Sequence, residues 1–341
     1  METTPSARTI PFRFTGNAGE YFRIWIVNLA LTVLTLGIYS AWAKVRRKRY
    51  FYGNTLLDGA PFEYLANPIA ILKGRAIAFG VIAIYIVTIR FYPPTKPLFG
   101  LAFAILLPFL VVRALKFNAR NSAYRAIRFD FTGTTGEAAR IFIAVAFLIP
   151  FTLGLAYPYF AYRRKPLAVA TSAYGMTPFT IEATASGFFT IYLIALLAVM
   201  ASIFLYFLSA SAVSGFGMAL HTAYIYSSVV LVAALLAVYY YVEGAVSNLS
   251  WNTTVLVNNR FRSTLIQREL IGIALSNIVA ITLSLGLAIP WATVRTVRYR
   301  VEHLSMIAAE DLNRFVARIQ QEQSAAAGEE LSDLLDVDLG I

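Results

Sequence analysis

Five acidic and amide side chains have the clearest potential for chemistry in this sequence. Glu20, Glu137 and Glu269 each stand at the entry to a long apolar segment, where a carboxylate could bind a cation or relay protons. A glutamate in the first turn of a helix also interacts favourably with the helix dipole, and this structural role is the simpler explanation. Asn28 and Asn277 lie deeper in two of these segments, where hydrogen bonding between helices explains an asparagine better than ligand binding does. These five residues are the candidate functional residues.

Basic residues follow the same apolar segments. The run from Lys44 to Arg49 is typical of a topology determinant at a membrane surface, and such residues also contact anionic lipid headgroups. Trp42, Tyr159 and Trp291 stand beside arginines and could form cation–π contacts, although an aromatic belt at the membrane interface explains them more simply. The residues predicted to contact lipid headgroups are Lys44, Arg46, Arg47, Arg163, Arg164 and Arg295.

Several other kinds of site are excluded by what the sequence lacks. Cysteine is absent, which removes disulfides, thiolate metal sites and cysteine nucleophiles. The two histidines, His221 and His303, are far apart and have no metal-ligand spacing. No glycine-rich phosphate loop, GxSxG elbow or HExxH motif occurs. We therefore expect no enzyme activity, no cofactor and no metal site.

The composition is that of a membrane protein. The chain has 341 residues, a mean hydropathy of +0.65 and 14% charged residues, whereas a soluble domain carries about 25%. The net charge of +11 could suggest nucleic acid, but the lysines and arginines lie between long apolar runs and are not gathered on a soluble face. The predicted partner is therefore a bilayer with anionic headgroups, and no nucleic acid is expected.

Seven apolar segments approach the roughly 20 residues that a helix needs to cross a bilayer core. They are Ile24 to Trp42, Ile69 to Phe91, Leu98 to Leu115, Ile141 to Phe160, Phe188 to Ala210, Met218 to Val242, and Ile271 to Trp291. The second segment carries Lys73 and Arg75 in its first turns, and these side chains must extend toward one membrane surface.

One membrane segment occurs three times along the chain. A gapless shift aligns Phe12–Gly16 with Phe129–Gly133, and a second gapless shift aligns Glu20 with Glu269. Coincident Glu, Gly and Arg residues indicate a common origin that shared apolar composition does not explain. We divide the chain into two full repeat units, a third partial repeat, and a charged helix with an acidic tail that we expect to be disordered from about Gln320. These four parts are residues 1–128, 129–257, 258–305 and 306–341.

Short strands are predicted beside the apolar segments. Tyr50 to Tyr64 has the pattern of a β-hairpin around Asp58-Gly59, because Asp-Gly readily supplies the positive φ values of a tight turn. Weaker copies are Ser172 to Ile181 and Asn252 to Phe261, and such hairpins can pair into a small sheet. The predicted fold class is an all-α polytopic membrane protein with about seven hydrophobic segments, three copies of a repeated membrane segment and short surface β-hairpins.

Most of the chain, up to about residue 305, resembles the YjgN-like family of bacterial inner-membrane proteins, and the stretch from Gly19 to Gly59 carries the clearest likeness. The family pattern is matched at Phe14, Gly16, Glu20, Tyr21, Leu36 to Ser40, Trp42 to Lys44, Arg46, Arg49 to Phe51, Asn54 and Thr55. The second copy departs from it, with Ala138 and Ala139 for the Tyr-Phe pair and Tyr159 for the tryptophan. The resemblance implies a multi-pass protein of the bacterial inner membrane whose function is not established, and it transfers no catalytic or transport residues.

Charge and length favour different paths for the repeated segment. If each copy enters the membrane and returns, all lysines and arginines except Arg90 and Lys96 lie on one side, which we expect to be cytoplasmic together with the acidic C-terminal tail. If each copy crosses fully, basic runs fall on both sides. Length permits the full crossing, since Glu20 to Arg46 as one helix is long enough to span with tilt. Both paths remain open at this stage.

Two classes of function fit these observations. The first is a non-enzymatic structural or interaction protein of the membrane that associates with envelope lipids. The second is a transporter or channel for a small solute or ion, because internal repeats and broken helices are common in such folds. The scarcity of charged residues within the apolar segments favours the first class.

Overall fold

The computed structural model describes residues 8–215 and 220–338, and the side chains of residues 213–221, 223 and 326–338 are not considered. Ten antiparallel strands close into a barrel in which neighbours along the chain are neighbours in space, and β1 pairs with β10 to complete the ring. The strands are β1 (Arg8–Phe14), β2 (Thr55–Leu57), β3 (Ala60–Tyr64), β4 (Ser122–Tyr124), β5 (Ile127–Phe131), β6 (Ser172–Tyr174), β7 (Thr177–Ile181), β8 (Thr254–Leu256), β9 (Asn259–Ser263) and β10 (Leu304–Ala308).

The longest strand, β1, closes the ring because it pairs with both β2 and β10. Its first half pairs with β10, with Arg8 opposite Ala308, and its second half pairs with β2, with Phe12 opposite Leu57. The other strands have only three or five residues. Closure gives each short strand a hydrogen-bonding neighbour on both sides, so the barrel leaves no free sheet edge.

The fold class predicted from the sequence is wrong in its all-α assignment. Hairpins that the sequence suggests as separate surface features instead join edge to edge into one closed sheet. The physical reason is that an isolated two-stranded hairpin is marginal in water, whereas closure pairs the backbone groups that would otherwise be exposed at its edges. The alternation of residues along the chain predicts a strand, but it does not predict which distant strand pairs with it.

The hairpin turns have the backbone conformation that their sequence predicts. Asp58 and Gly59 both have positive φ, as a tight turn between β2 and β3 requires. The hairpins predicted at Ser172–Ile181 and Asn252–Phe261 are also confirmed in position, as β6–β7 and β8–β9. One boundary is wrong. Residues 50–52, expected in a strand, end a helix that runs to Gly53, and β2 begins only at Thr55.

A pair of helical arms leaves the same side of the barrel after every second strand. The helices are α1 (Ala18–Leu34), α2 (Ser40–Gly53), α3 (Pro68–Phe91), α4 (Lys96–Arg120), α5 (Thr135–Ala139), α6 (Ala146–Phe151), α7 (Tyr157–Val169), α8 (Ala185–Gly215), α9 (Leu220–Asn252), α10 (Gln267–Leu283), α11 (Ile289–Glu302) and α12 (Leu312–Asp338). A π-helical stretch, Arg140–Val145, joins α5 to α6. Neighbouring arms contact one another in ring order, through α2 with α3, α4 with α5, α7 with α8, α9 with α10, and α11 with α1.

Each copy of the repeated segment is a helical hairpin. The chain reverses at a Leu-Gly pair with positive φ in all three copies, namely Leu36-Gly37, Leu153-Gly154 and Leu285-Gly286. Both ends of each copy connect to adjacent barrel strands, so the segment leaves the barrel and returns to the same side. Relative to the barrel, the three copies therefore share one orientation.

Four helices of the described residues are long and apolar enough to cross a membrane. They are Pro68–Phe91, Pro93–Arg120, Ala185–Ala212 and Tyr224–Asn252, which correspond to the arms α3, α4, α8 and α9. The repeated segments are not among these helices. Their turns divide them into shorter helices, and α1 with 17 residues reaches about 25 Å. The seven apolar segments of the sequence thus comprise four candidate spans and three hairpins.

The barrel core is apolar, and α12 closes the side opposite the arms. Leu312, Phe315, Val316 and Ile319 of α12 are buried against inward-facing barrel residues, which include Ile10, Phe12, Tyr124, Tyr174 and Met306. Arg125, in the turn between β4 and β5, donates to Asp58 Oδ2 at 2.9 Å and to Asn313 Oδ1 at 2.7 Å, which ties two hairpin turns to α12. The helix continues to Asp338, so the tail expected to be disordered from about Gln320 is helical over the described residues.

Candidate functional site

The three candidate glutamates lie at helix starts, each on a different helical hairpin. The Asn17 side chain caps α1 by accepting from the Glu20 backbone N–H at 2.8 Å. Glu137 forms a capping box with Thr134 at the start of α5, and Glu269 lies in the first turn of α10. Within the described residues no group of three or more acidic or histidine side chains is close enough to hold a metal ion, so these glutamates do not form such a cluster. The structure therefore does not bring them together into a shared site.

A tyrosine from the returning helix fastens the start of the first and third hairpins. The Tyr50 hydroxyl accepts from the Asn17 N–H and donates to the Asn17 carbonyl, each at 2.8 Å. Tyr299 bonds Ile266 in the same manner, at 3.0 and 3.1 Å. Burial raises the pKa of both tyrosines, and the nearby carboxylates of Glu20 and Glu269 act in the same direction. The glutamates thus belong to a structural cap.

The two candidate asparagines are equally buried but differ in their partners. Asn277 donates to the Thr296 hydroxyl at 3.0 Å and to the Ala292 carbonyl, and its Oδ1 accepts from Arg295 at 3.3 Å. Asn28 is also only 7% exposed, yet its Oδ1 has no hydrogen-bond partner. The position of Thr296 in the third copy is taken by Arg47 in the first. The threonine hydroxyl that bonds Asn277 in the third copy is therefore replaced in the first copy by the cation Arg47, which lines the same pocket as Asn28.

A basic pocket lies between the first hairpin, α3 and α11. Its volume is about 540 Å³, and no carboxylate is among its lining residues. The lining includes four cations, several hydroxyls and one buried amide whose oxygen is unpaired. The cations are Lys44, Arg47, Lys48 and Arg75, the hydroxyls belong to Tyr21, Thr32, Ser40 and Thr293, and the amide is that of Asn28. Apolar and aromatic side chains complete the wall.

The four cations of the basic pocket are not neutralised by carboxylates. None of them forms an ion pair with any residue that the structure describes. Lys48 donates to Asn118 Oδ1 at 2.7 Å and lies 4.6 Å from the centre of the Tyr64 ring, while Arg75 donates to the Ser40 hydroxyl. Burial lowers the pKa of Lys48, and the positive charges of Lys44 and Arg47 lower it further. Such a cluster favours an anion with several oxygen acceptors.

Comparison with known proteins identifies the family. A family described as a bacterial protein of unknown function, DUF898, matches residues 9–334. The chain belongs to this family. It is 39% identical over 123 residues to the inner membrane protein YjgN of Salmonella typhimurium, and 31% identical over 121 residues to the inner membrane protein YjgN of Escherichia coli K12. These matches cover 35% of this chain and 30% of each relative.

The resemblance to YjgN-like proteins expected from the sequence is thereby confirmed. No solved structure matches the chain. Together with the four candidate spans, the family match identifies a membrane protein whose family has no established function. The basic pocket is the strongest site on geometric grounds.

The residues predicted to contact headgroups lie in different surroundings. Lys44 and Arg47 line the basic pocket, whereas Arg46 is exposed outside it. Arg295 lies 5.2 Å from the centre of the Trp291 ring and donates to the Ser276 hydroxyl.

The corresponding residues of the second copy lie elsewhere. Arg163 lines a separate cavity of about 400 Å³ with Arg140 and Glu137, and Arg164 lies over the Phe160 ring. Only two of the six predicted residues therefore share one pocket.

Sequence reasoning included Lys48 only as part of the basic run Lys44 to Arg49, and it missed Arg75 as a ligand residue. Lys48 belongs to the basic run of the first copy, and Arg75 is a cation within the second apolar segment. Arg75 could have been predicted as a site residue, because an arginine inside an apolar stretch requires a partner or an aqueous pocket. Within the described part of the chain, no group of three or more His, Asp or Glu side chains is arranged to hold a metal ion. The side chain of His221 lies outside that part.

Proposed function

We propose that this chain is a non-enzymatic, multi-pass protein of the bacterial inner membrane that binds an anionic phospholipid headgroup in the basic pocket. The carrying observation is the set of four cations, Lys44, Arg47, Lys48 and Arg75, around a cavity of about 540 Å³ without a lining carboxylate. The inner-membrane location is supported by the names of the relatives.

A phosphodiester matches the donors of this pocket. Arginine and lysine form charge-assisted hydrogen bonds with phosphate oxygens, and two guanidinium groups can contact one phosphate from different directions. The hydroxyls of Thr32, Ser40 and Thr293 add neutral groups to the pocket wall, and these can hydrogen-bond the hydroxyls of a polyol headgroup. Phosphatidylglycerol carries both a phosphodiester and such hydroxyls.

A lipid is favoured over free phosphate by where the pocket lies. Arg75 projects from the second turn of α3, which is one of the four candidate spans. Cations at this depth lie near the headgroup region, and basic pockets between membrane helices are suited to anionic lipids. We further propose that the barrel and the basic ends of the arms face the cytoplasm, together with α12.

The alternative function, transport of a small solute or ion, has one structural feature in its favour. The arms form a closed ring over a closed barrel, which gives the molecule a central axis. The barrel interior argues against a water-filled path along that axis, since it is lined with apolar side chains and closed at one end by Phe315 and Ile319 of α12. Lipid binding is therefore the better-supported proposal.

The test is lipid binding measured by native mass spectrometry on the full chain in detergent, titrated with phosphatidylglycerol, phosphatidylcholine or inorganic phosphate. The double variant Arg47→Gln/Arg75→Gln should bind phosphatidylglycerol at least roughly tenfold more weakly, because each lost charge-assisted contact contributes about 1.5–3 kcal/mol. Arg46→Gln is the matched control, since Arg46 is exposed and lies outside the pocket.

Three results would contradict the proposal. The first is equal affinity for phosphatidylglycerol and phosphatidylcholine, and the second is equal loss in the double variant and in Arg46→Gln. The third concerns inorganic phosphate. If inorganic phosphate binds as tightly as phosphatidylglycerol, the pocket is an anion site without lipid selectivity and the lipid proposal fails.

A further inference from the structure

A second cavity, which we name the barrel chamber, lies where the arms meet the open side of the barrel. Its volume is about 510 Å³, and its wall is formed by the barrel-side ends of α2, α4, α9 and α11 and by the adjoining strands. A smaller cavity of about 130 Å³ lies within the barrel. Phe12, Phe62, Phe129 and Trp251 line both, so the two spaces adjoin one another.

Most polar groups in the wall of the barrel chamber are already hydrogen-bonded within the protein. The Thr55, Ser122 and Ser172 hydroxyls each donate to a backbone carbonyl four residues earlier. The Asn118 Oδ1 accepts from Lys48, and the Tyr52 hydroxyl lies 3.4 Å from the Ser122 hydroxyl. The remaining lining is aromatic and aliphatic. An apolar ligand therefore fits this chamber better than a polar one.

The end of the chamber away from the arms is closed. Leu312, Phe315 and Val316 of α12 line the smaller cavity from the opposite side of the barrel. Phe315 is 1% exposed and stacks on Tyr174, with ring centres 6.4 Å apart. Since α12 blocks the turn side, a ligand reaches the chamber from the side of the arms, four of which are candidate spans.

We propose that the barrel chamber holds one hydrocarbon chain of a membrane lipid. The chamber volume lies within the roughly 300–1,000 Å³ range of small-molecule sites, and its surroundings supply hydrocarbon as the available apolar ligand. The chamber shares no lining residue with the basic pocket. The proposal concerns the lipid chain and does not depend on the headgroup proposal above.

Trp251 is the reporter for the test, because it lines the chamber and is 38% exposed. Three substitutions, Trp25→Phe, Trp42→Phe and Trp291→Phe, leave it as the single tryptophan of the chain. The protein is reconstituted in phosphatidylcholine vesicles whose chains are brominated near their ends. In a free bilayer these bromines lie near the midplane, about 15 Å from the headgroup boundary. A chain end inside the chamber should therefore quench Trp251 fluorescence strongly.

The matched variants fill the chamber or leave it open. Ala119→Phe adds a ring to the chamber wall and should abolish most of the quenching, whereas Ala114→Phe adds the same ring at an exposed position of the same helix and should leave it unchanged. Leu115→Phe provides a second filling variant if Ala119→Phe does not fold.

Two outcomes would overturn the proposal. Fluorescence that is equal in brominated and ordinary vesicles means that no chain enters. Equal quenching in the filling variant and in Ala114→Phe means that the bromines contact Trp251 from the surrounding bilayer and not from inside the chamber. Because the vesicles are zwitterionic, failure here is distinguishable from failure of the headgroup proposal, which rests on selectivity for an anionic lipid.

Discussion

The Tyr50 hydroxyl lies 2.8 Å from both the backbone nitrogen and the backbone oxygen of Asn17, so the second helix of the first hairpin is bonded to the residue that begins the first. The third copy repeats this bond between Tyr299 and Ile266. The second copy lacks it, because Leu167 stands at the equivalent position and Thr134 with Glu137 caps the helix instead. Hairpin closure is thus achieved by two different local means.

Removing the Tyr50 hydroxyl should loosen the first hairpin. We expect Tyr50→Phe to lower the free energy of unfolding by about 1–2 kcal/mol, because two backbone groups lose their partner while the ring packing on Tyr21 is kept. Tyr299→Phe should have a similar effect, and the two losses should add because the sites are separate. Thermal unfolding in detergent gives the measurement. Tyr92→Phe, at an exposed turn, is the control, and an equal loss there would contradict the role of the hydroxyl bond.

Neutralising the glutamates should have small and independent effects. Glu20→Gln, Glu137→Gln and Glu269→Gln should each cost a few tenths to about 1 kcal/mol, because each carboxylate lies in the first turn of its own helix. Glu137→Gln should cost least, since glutamine also completes a capping box. The combined variant should equal the sum of the single losses and leave lipid binding unchanged. A loss well beyond that sum, or altered lipid binding, would indicate a shared site.

The turn of the first β-hairpin should depend on Gly59. Its φ is +75°, and no atom lies within 4 Å of where a Cβ would stand, so a substitution there is opposed by backbone conformation and not by crowding. We expect Gly59→Val to cost about 1–2 kcal/mol, and Gly59→Asn to cost less because asparagine tolerates this conformation. Ala60→Val, in the following strand, is the control. Equal folded yields for Gly59→Val and Ala60→Val would contradict the claim that the turn depends on glycine at position 59.

Orientation in the membrane can be read from single cysteines, because the chain has none of its own. Lys96 lies at the connection between α3 and α4, far from the barrel, and Arg13 is exposed on β1. If the barrel is cytoplasmic, an impermeant maleimide should label Lys96→Cys in right-side-out vesicles and Arg13→Cys only in inverted vesicles. The reverse pattern would contradict the proposed orientation.

Local sequence predicts the elements whose causes are local. The hairpin turn at Asp58-Gly59 follows from the need for positive φ, and four of the seven apolar runs coincide with the candidate spans. The same reasoning fails at residues 50–52, because alternating aromatics suggest a strand while the helix ending at Gly53 continues through them. Tertiary contact decides that case, since the ring of Tyr50 packs on Tyr21 of the preceding helix.

The sequence by itself determined membrane character, the three related segments and the positions of most hairpins, because these depend on composition and on contacts between near neighbours. Only the tertiary structure decided that the hairpins close into one barrel, that α12 closes the side of the barrel opposite the arms, and that Arg75 joins Lys44, Arg47 and Lys48 around one cavity. Such features depend on pairings between residues far apart in the chain, such as Arg8 with Ala308. Periodicity along the chain carries no record of those partners, because a strand edge bonds through its backbone and accepts any strand of compatible register.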